Sequence, residues 1–270
     1  MINIAIAGIG GRMGQSLYKC LQDTDFDMQL SVATTLPDDP NIGKTVGAVF
    51  AGNSEVVITD MLSADFDVLI DFTAVQPTLK HIQQCRQFGQ AIVIGTTGFS
   101  DAQLADIHQA AQSQAIFMSA NMSVGVNIME QLVAIAAKAL HQQADIEIIE
   151  AHHKHKVDAP SGTALMLGRA IADSIGVDLS EKAVFARQGI TGARQDGTIG
   201  FSTIRGGDVV GEHTAAFYMA GERIEISHRA TDRCIFARGA LFAANYLAQQ
   251  DNGLYNMFDA LGLGQFNGKA

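Results

Sequence analysis

No stretch of this 270-residue chain reaches the run of about 18 apolar residues that a membrane-spanning helix needs, so neither a helical anchor nor a membrane partner is expected. The segment Met1 to Ala7 passes straight into a strand-like pattern without a basic stretch or cleavage signal of the secretory kind, and a cytoplasmic location is expected. Basic residues are few. Against 28 Asp and Glu there are 18 Lys and Arg, a formal net charge of −10, which argues against nucleic acid as a partner because phosphate backbones are bound by many cations on one face. Cysteine is scarce too: Cys20, Cys85 and Cys234 are too far apart for a disulfide framework or a zinc-ligand spacing, and they read as buried thiols. Internal repeats and low-complexity tracts are lacking. What remains is 47% hydrophobic and 17% charged, the balance of a soluble globular protein long enough for two compact units or one large α/β domain.

The first part alternates strands and helices, which implies a parallel sheet. Strands are expected at Ile2–Ala7, Met28–Thr34, Val68–Phe72 and Ala91–Gly95, with helices after the first glycine-rich turn and at Pro77–Phe88 and Asp101–Gln114. Ser100 and Gln103 stand in capping-box spacing, and Pro77 suits a first helical turn, where a missing N–H costs little. After about Ser123 the rhythm changes: helix at Val126–Leu140, strand at Ile146–Ala151, helix at Thr163–Ile175. Strands at Gly197–Arg205, Gly211–Met219 and Glu222–Arg229 then follow almost without helix, which favours an antiparallel or mixed sheet in a second, α+β domain. A helix at Ala237–Gln249 is expected to return to the first domain.

Gly8-Ile9-Gly10-Gly11-Arg12-Met13-Gly14 lies between the first strand and the first helix, where glycines let the backbone approach a pyrophosphate and the helix start attracts its charge. The spacing departs from the plain G-x-G-x-x-G fingerprint and can also be read as glycines at 8, 11 and 14. It points to a dinucleotide and to no particular reaction. After the second strand, Thr35 and Leu36 offer neither an acid for an adenosine ribose nor an arginine for a 2′-phosphate, and Asp38 and Asp39 read as solvated loop charges.

Glu150-Ala151-His152-His153-Lys154-His155-Lys156, followed by Asp158-Ala159-Pro160-Ser161-Gly162-Thr163, gathers titratable groups between a strand and a helix. Histidine exchanges a proton near neutral pH, lysine supplies a fixed cation, and a Ser-Gly-Thr turn at a helix start offers N–H donors to an anion. Together they describe a site for a small dianionic acid. The three histidines could also be metal ligands, but no Asp, Glu or Cys stands beside them at a familiar spacing, and no metal is expected.

This signature, with Asp71-Phe72-Thr73, Gly95-Thr96-Thr97-Gly98, Asn121-Met122-Ser123-Val124-Gly125 and Gly206-Gly207-Asp208 through Gly211-Glu212-His213-Thr214, resembles that of the 4-hydroxy-tetrahydrodipicolinate reductases, also called dihydrodipicolinate reductases, over nearly the whole chain. The resemblance implies an α/β fold: a Rossmann-type dinucleotide-binding domain, residues 1–123 plus 234–270, and an α+β substrate-binding and tetramerisation domain, residues 124–233. It implies a homotetramer whose domains close around NAD(P)H and a dicarboxylate substrate in lysine and diaminopimelate biosynthesis. Hydride would pass from NADH or NADPH to C4 of the ring, with His152 as proton donor and Lys156 as its cationic neighbour. His153, Lys156, Ser161, Gly162, Thr163 and Thr97 would bind the substrate carboxylates. The cofactor would be held by Gly8 to Gly14, by Thr35, by Gly95, Thr96 and Thr97, and by Ser119, Ala120, Asn121 and Met122. Two positions depart from the family: Thr35 and Leu36 stand where an acid and an arginine are common, and Met122 where an aromatic residue is common. Use of both coenzymes without strong preference is therefore expected, with Arg12 and Lys44 available to a 2′-phosphate.

Overall fold

The structure is a computed structural model that describes residues 1–23 and 25–264. It divides into two compact units, one formed by Met1–Ser123 with the segment from Cys234 onward, the other by Val124–Arg233. The last stretch expected in the first domain, residues 265–270, lies outside the described residues.

The first unit runs β1 (Ile2–Ala7), α1 (Arg12–Gln22), β2 (Met28–Thr34), α2 (Val46–Phe50), β3 (Ile58–Thr59), β4 (Val68–Asp71), α3 (Val75–Phe88), β5 (Ala91–Ile94), α4 (Asp101–Ala110) and β6 (Ala115–Met118). The second holds α5 (Val124–Leu140), β7 (Asp145–His152), α6 (Gly162–Ser174), α7 (Leu179–Lys182), β8 (Ala183–Val184), β9 (Ile199–Arg205), β10 (Gly211–Met219) and β11 (Glu222–Ala230). The chain then rejoins the first unit with α8 (Cys234–Leu247), β12 (Gly253–Tyr255) and α9 (Met257–Ala260).

In the first unit a parallel sheet is ordered β12-β6-β5-β4-β1-β2-β3. Its central strands are apolar on both faces, with Ile4, Ala5, Ile6, Val68, Leu69, Ile70, Ile92, Val93 and Ile94 all buried, as strands covered by helices on either side must be. Strand order reverses between β1 and β4, which places the ligand crevice of such a fold at the carboxyl ends of these strands. The helix expected to Gln114 stops at Ala110, and Ala115–Met118, where no element was expected, forms a strand. Four apolar residues are too few for periodicity to distinguish the two. Helix α3 begins two residues before Pro77, which still falls in the first turn, where no N–H partner is required. The Ser100–Gln103 capping box is formed. All three cysteines are buried, and burial pushes the Cys85 thiol far up.

The second sheet is ordered β11-β10-β7-β9-β8 and is mixed, with β10 antiparallel to β7 and β11, and β9 parallel to β7 and β8. Successive strand side chains point to opposite faces, so β7 buries Ile146, Ile148, Glu150 and His152 on one side. Register extends each across the sheet. Phe217–Ile146–Ile199 and Ala215–Ile148–Phe201 form apolar rows that pack with Met129 and Val133 of α5 and Leu167 and Ile171 of α6. The next row along the same face, His213–Glu150–Thr203, is polar. His152 follows it, opposite Arg205.

Candidate functional site

The candidate residues fall into two groups, one within each unit. In the first, Gly8 leaves β1 at φ +71°, a conformation that favours glycine, and its carbonyl accepts the Gly11 N–H at 2.9 Å to close the turn. Gly11 is the N-cap of α1, and Gly14 is buried against the turn, where a Cβ would lie 2.3 Å from the Gly8 oxygen. The spacing at work is therefore 8, 11 and 14. Gly10, Gly11 and Arg12 are exposed, Met13 is half-buried, and Ile9 is fully buried with its N–H on the Thr34 carbonyl. A close-packed turn with bare backbone ahead of an 11-residue helix fits a dinucleotide pyrophosphate.

Beside Gly10 the structure corrects one expectation. Asp38 is exposed, but Asp39 is half-buried and turned inward. The Thr35 hydroxyl donates to its Oδ2 at 2.6 Å and the Asn41 N–H to its Oδ1 at 2.8 Å. These bonds, the Thr35 one foremost, hold its carboxyl below the usual range. A Cβ on Gly10 would lie 3.3 Å from Asp39 Oδ2 and 3.7 Å from Thr35 Oγ1. An acid thus stands at the edge of the glycine turn after all, four residues later than Thr35. Leu36 is exposed and offers no charge.

At the carboxyl ends of β5 and β6, Met13, Gly95, Ser119, Ala120, Asn121 and Met122 line one cavity of about 130 Å³ together with Phe72 and Phe236. Thr96, Thr97, Ser119 and Ala120 line a second of about 180 Å³ with Phe99, Leu104 and Met118. Gly95 is bare because the Phe72 ring lies where its Cβ would be. Thr96 is buried and accepts a hydrogen bond from Thr78, whereas Thr97 is exposed. The aromatic walls come from Phe72 and Phe236, while Met122 is buried with its carbonyl against Gly239 of α8. A larger depression of about 340 Å³ opens at the opposite, amino-terminal ends of these strands, away from the crevice.

In the second unit, Glu150 is 1% exposed and takes five hydrogen bonds. His152 Nδ1 and Arg205 Nη1 reach Oε2 at 2.5 and 2.9 Å. Arg205 Nη2, Thr203 Oγ1 and the Ser161 N–H donate to Oε1 at 2.9, 3.1 and 3.2 Å. Burial alone would raise the carboxyl, but the Arg205 and His152 bonds outweigh it and leave it lowered, hence ionised. For His152 burial wins and its pKa is lowered, although Glu150 pulls it upward. His213 meets the His152 ring edge-on at 5.1 Å, and burial pushes it down to about 4.

Lys156 pairs with Asp158 at 2.9 Å. His153 is held between the Arg233 guanidinium and the His155 N–H, each at 3.2 Å. A neutral imidazole has one ring acceptor, so only one of these donors can be satisfied at a time. Ser161 is buried, caps α6 through the Ala164 N–H and lies 3.0 Å from His213, so its polar groups are engaged within the protein. Gly162, by contrast, is exposed at the first position of α6, where an N–H has no partner within the helix, and Thr163 follows it half-buried. Glu150, His152 and His213 lie within 4.8 Å of one another, a ligand-like grouping. The carboxylate is already occupied by a guanidinium, an imidazole, a hydroxyl and an amide, which leaves no lone pair directed at a cation.

Glu150 was in view in the sequence without a role; its spacing of two from His152 on a strand was the signal. Arg205, His213, Phe72, Phe236 and Asp39 were not assigned.

Profiles described as dihydrodipicolinate reductase, N-terminus, and dihydrodipicolinate reductase, C-terminus, match residues 2–122 and 125–261. A relative from Nitrosospira multiformis named 4-hydroxy-tetrahydrodipicolinate reductase is 49% identical over 267 residues, covering 98% of this chain and 99% of its own. One of the same name from Nitrosomonas eutropha is 51% identical over 266 residues, covering 97% and 99%. A solved structure described as a dipicolinate-bound dihydrodipicolinate reductase from Paenisporosarcina sp. TG-14 is 27% identical, with a TM-score of 0.75 and coverage of 96% and 98%. With both halves matched and half of the residues shared with full-length relatives, this chain belongs to the dihydrodipicolinate reductase family.

Proposed function

We propose that the chain reduces 4-hydroxy-tetrahydrodipicolinate, through dihydrodipicolinate, to tetrahydrodipicolinate with NADH or NADPH, in diaminopimelate and lysine biosynthesis. The observation that carries this is the Glu150–His152 pair at the end of β7, followed directly by Lys156 and the exposed start of α6. A proton-exchanging ring, a cation and helix N–H donors suit a small dianion. Two relatives are named for the activity, and a solved one is described with dipicolinate bound.

The first unit serves as the dinucleotide-binding domain. Gly8 to Gly14 would hold the pyrophosphate, Thr35 and Asp39 the adenosine ribose, and Gly95 to Thr97 with Ser119 to Met122 the nicotinamide side. The coenzyme, when bound, supplies a hydride to C4 of the ring. In the second unit, the substrate and tetramerisation domain, His152 gives the proton to the neighbouring carbon: the N–H bond breaks with its electrons left on nitrogen, and the C–H bond forms. Its lowered pKa leaves the ring neutral at pH 7 until an anionic ligand favours the cation. Lys156, His153, Gly162, Thr163, Ser161 and Thr97 hold the carboxylates, with Lys156 exchanging Asp158 for the ligand.

Asp39 refines the coenzyme expectation. A carboxylate accepts a bond from an unmodified ribose hydroxyl and repels a 2′-phosphate, while Arg12 and Lys44 keep NADPH usable; both serve, with NADH preferred. The working form is a cytoplasmic homotetramer without metal, supported by the largely exposed edge strand β11.

The test is loss of NADH absorbance when the condensation product of pyruvate and aspartate semialdehyde is supplied, compared with His152→Gln. Substituting His152 should lower kcat by about 10²–10⁴-fold with much less effect on binding. A His152→Gln enzyme with near-normal kcat, or activity with aspartate and NAD⁺ instead, refutes the proposal.

A further inference from the structure

Resting on His152 as the proton donor, we infer that Glu150 is its positioning residue: clamped by Arg205, the carboxylate fixes the proton on His152 Nδ1, leaves Nε2 to face the reacting carbon, and ties the start of α6 to the same anchor.

The placement follows from the strand. Residues two apart on β7 share a face, so Glu150 lies directly behind His152 on the buried side. A carboxylate that is 1% exposed is costly unless its lone pairs are all met, and five donors meet them. Arg205 makes the two-pronged contact that best holds a carboxylate in one plane. An ionised carboxylate can only accept, so the ring nitrogen 2.5 Å away must carry hydrogen. The neutral ring then has its lone pair on Nε2 and takes up its transferable proton there.

Space for that nitrogen is provided by Gly211, where a Cβ would lie 3.1 Å from His152 Nε2. Oε1 of the same carboxylate accepts the Ser161 N–H, so the anion-binding turn cannot drift from the proton donor. The charged and titratable groups facing His152 are Glu150 on its own strand, Arg205 on β9, His213 on β10 and Lys156 in the following loop. Only Glu150 is negative. It therefore balances the imidazolium before transfer and stays ionised afterwards.

Full-length protein labelled with ¹⁵N-histidine tests this directly, with His152 assigned by the resonance lost in His152→Gln. Neutral His152 protonated on Nδ1 is the expected result, and protonation on Nε2 overturns the inference. In Glu150→Gln we expect kcat to fall at least about tenfold while KM for the dicarboxylate moves less than about threefold. The alkaline limb of the kcat–pH profile should move down by about one unit as the imidazolium loses its counter-charge. Glu150→Asp should recover part of kcat. A folded Glu150→Gln enzyme with unchanged kcat and an unmoved limb shows a merely structural carboxylate and overturns the inference; if the variant does not fold, the tautomer in the native protein decides. Normal turnover in His152→Gln would instead refute the underlying reading of the proton donor.

Discussion

Replacing Gly14 by Ala sets two effects of opposite sign against each other. Within a helix, Ala is favoured over Gly by about 1 kcal/mol, so propensity alone forecasts a more stable protein. The added Cβ, however, would lie 2.3 Å from the Gly8 oxygen, 2.7 Å from Ile9 Cα and 2.9 Å from Ile9 C. All three are backbone atoms, and no side-chain rotation relieves them. To reach ordinary contact, α1 must draw away from the turn by about 1 Å; overpacking of this kind costs about 1–3 kcal/mol, with rigid neighbours at the upper end. The clash wins by about 1–2 kcal/mol, a fall in Tm of about 2–8 °C for a unit of this size. Gly10→Ala is the internal control, because its nearest atom is Asp39 Oδ2 at 3.3 Å, the tip of a side chain. Its Tm should stay near wild type. Coenzyme binding is the second readout: a 1 Å displacement of positioned groups can cost about 10²-fold, so NADH titrated by fluorescence should bind Gly14→Ala far more weakly. A Gly14→Ala protein that melts at or above wild type and binds NADH within a few-fold refutes the close-packed turn.

Lys156→Ala should lower kcat/KM for the dicarboxylate substrate by at least about tenfold in steady-state assays, since a cation facing an anion is lost; neutrality would identify a mere partner of Asp158. Asp39→Asn should shift the NADH-to-NADPH ratio of kcat/KM toward NADPH, and an unmoved ratio would remove Asp39 from the ribose site. Burial holds His213 down at about 4, while an unfolded histidine titrates near 6.5. The unfolded chain therefore binds a proton that the native chain refuses, and stability falls as pH drops from 6.5 toward 4, by ~2 kcal/mol at pH 5. Glu130, raised to about 7 by burial, leans the other way, so the measurement is the difference in urea stability between wild type and His213→Asn at pH 7.5 and 5. Equal pH dependence in the two would refute the assignment. Light scattering at micromolar concentration should give about four times the 28.7 kDa chain mass, and a value near one chain refutes the tetramer.

Local chemistry made much of this molecule legible. Strand β1, the glycine turn, α1 and β2 form a short-range unit whose apolar alternation, glycines and helical spacing agree, and their boundaries follow from the residues themselves. Strand β10 is equally plain. Strand β6 was hidden because four residues after a helix carry no distinguishing period, and β3, β8 and β12, at two or three residues each, are defined by their neighbours in the sheets. In the second unit the histidine and lysine segment stood out by composition, yet Arg205 reaches Glu150 from 55 positions away and Ser161 lies 52 positions from His213. Only strand register brings such partners together. Asp39 was missed for a different reason: an acid was sought directly after β2, and the loop brings one beside Gly10 four residues after Thr35.

That the parallel sheet is drawn from two separated stretches of the chain also has a consequence for synthesis on the ribosome. Strand β6 ends at Met118, but its outer neighbour β12 and helix α8, which packs beside β4, β5 and β6, are encoded only after the whole of the second unit. At roughly 5–20 residues per second, β6 waits on the order of ten to thirty seconds for its partner, with an open edge of backbone groups able to pair elsewhere. The second unit is continuous in the chain and can be completed while the first is still waiting. The nascent protein therefore completes its second unit before its first has a finished sheet, and the waiting edge is where a chaperone has most to protect.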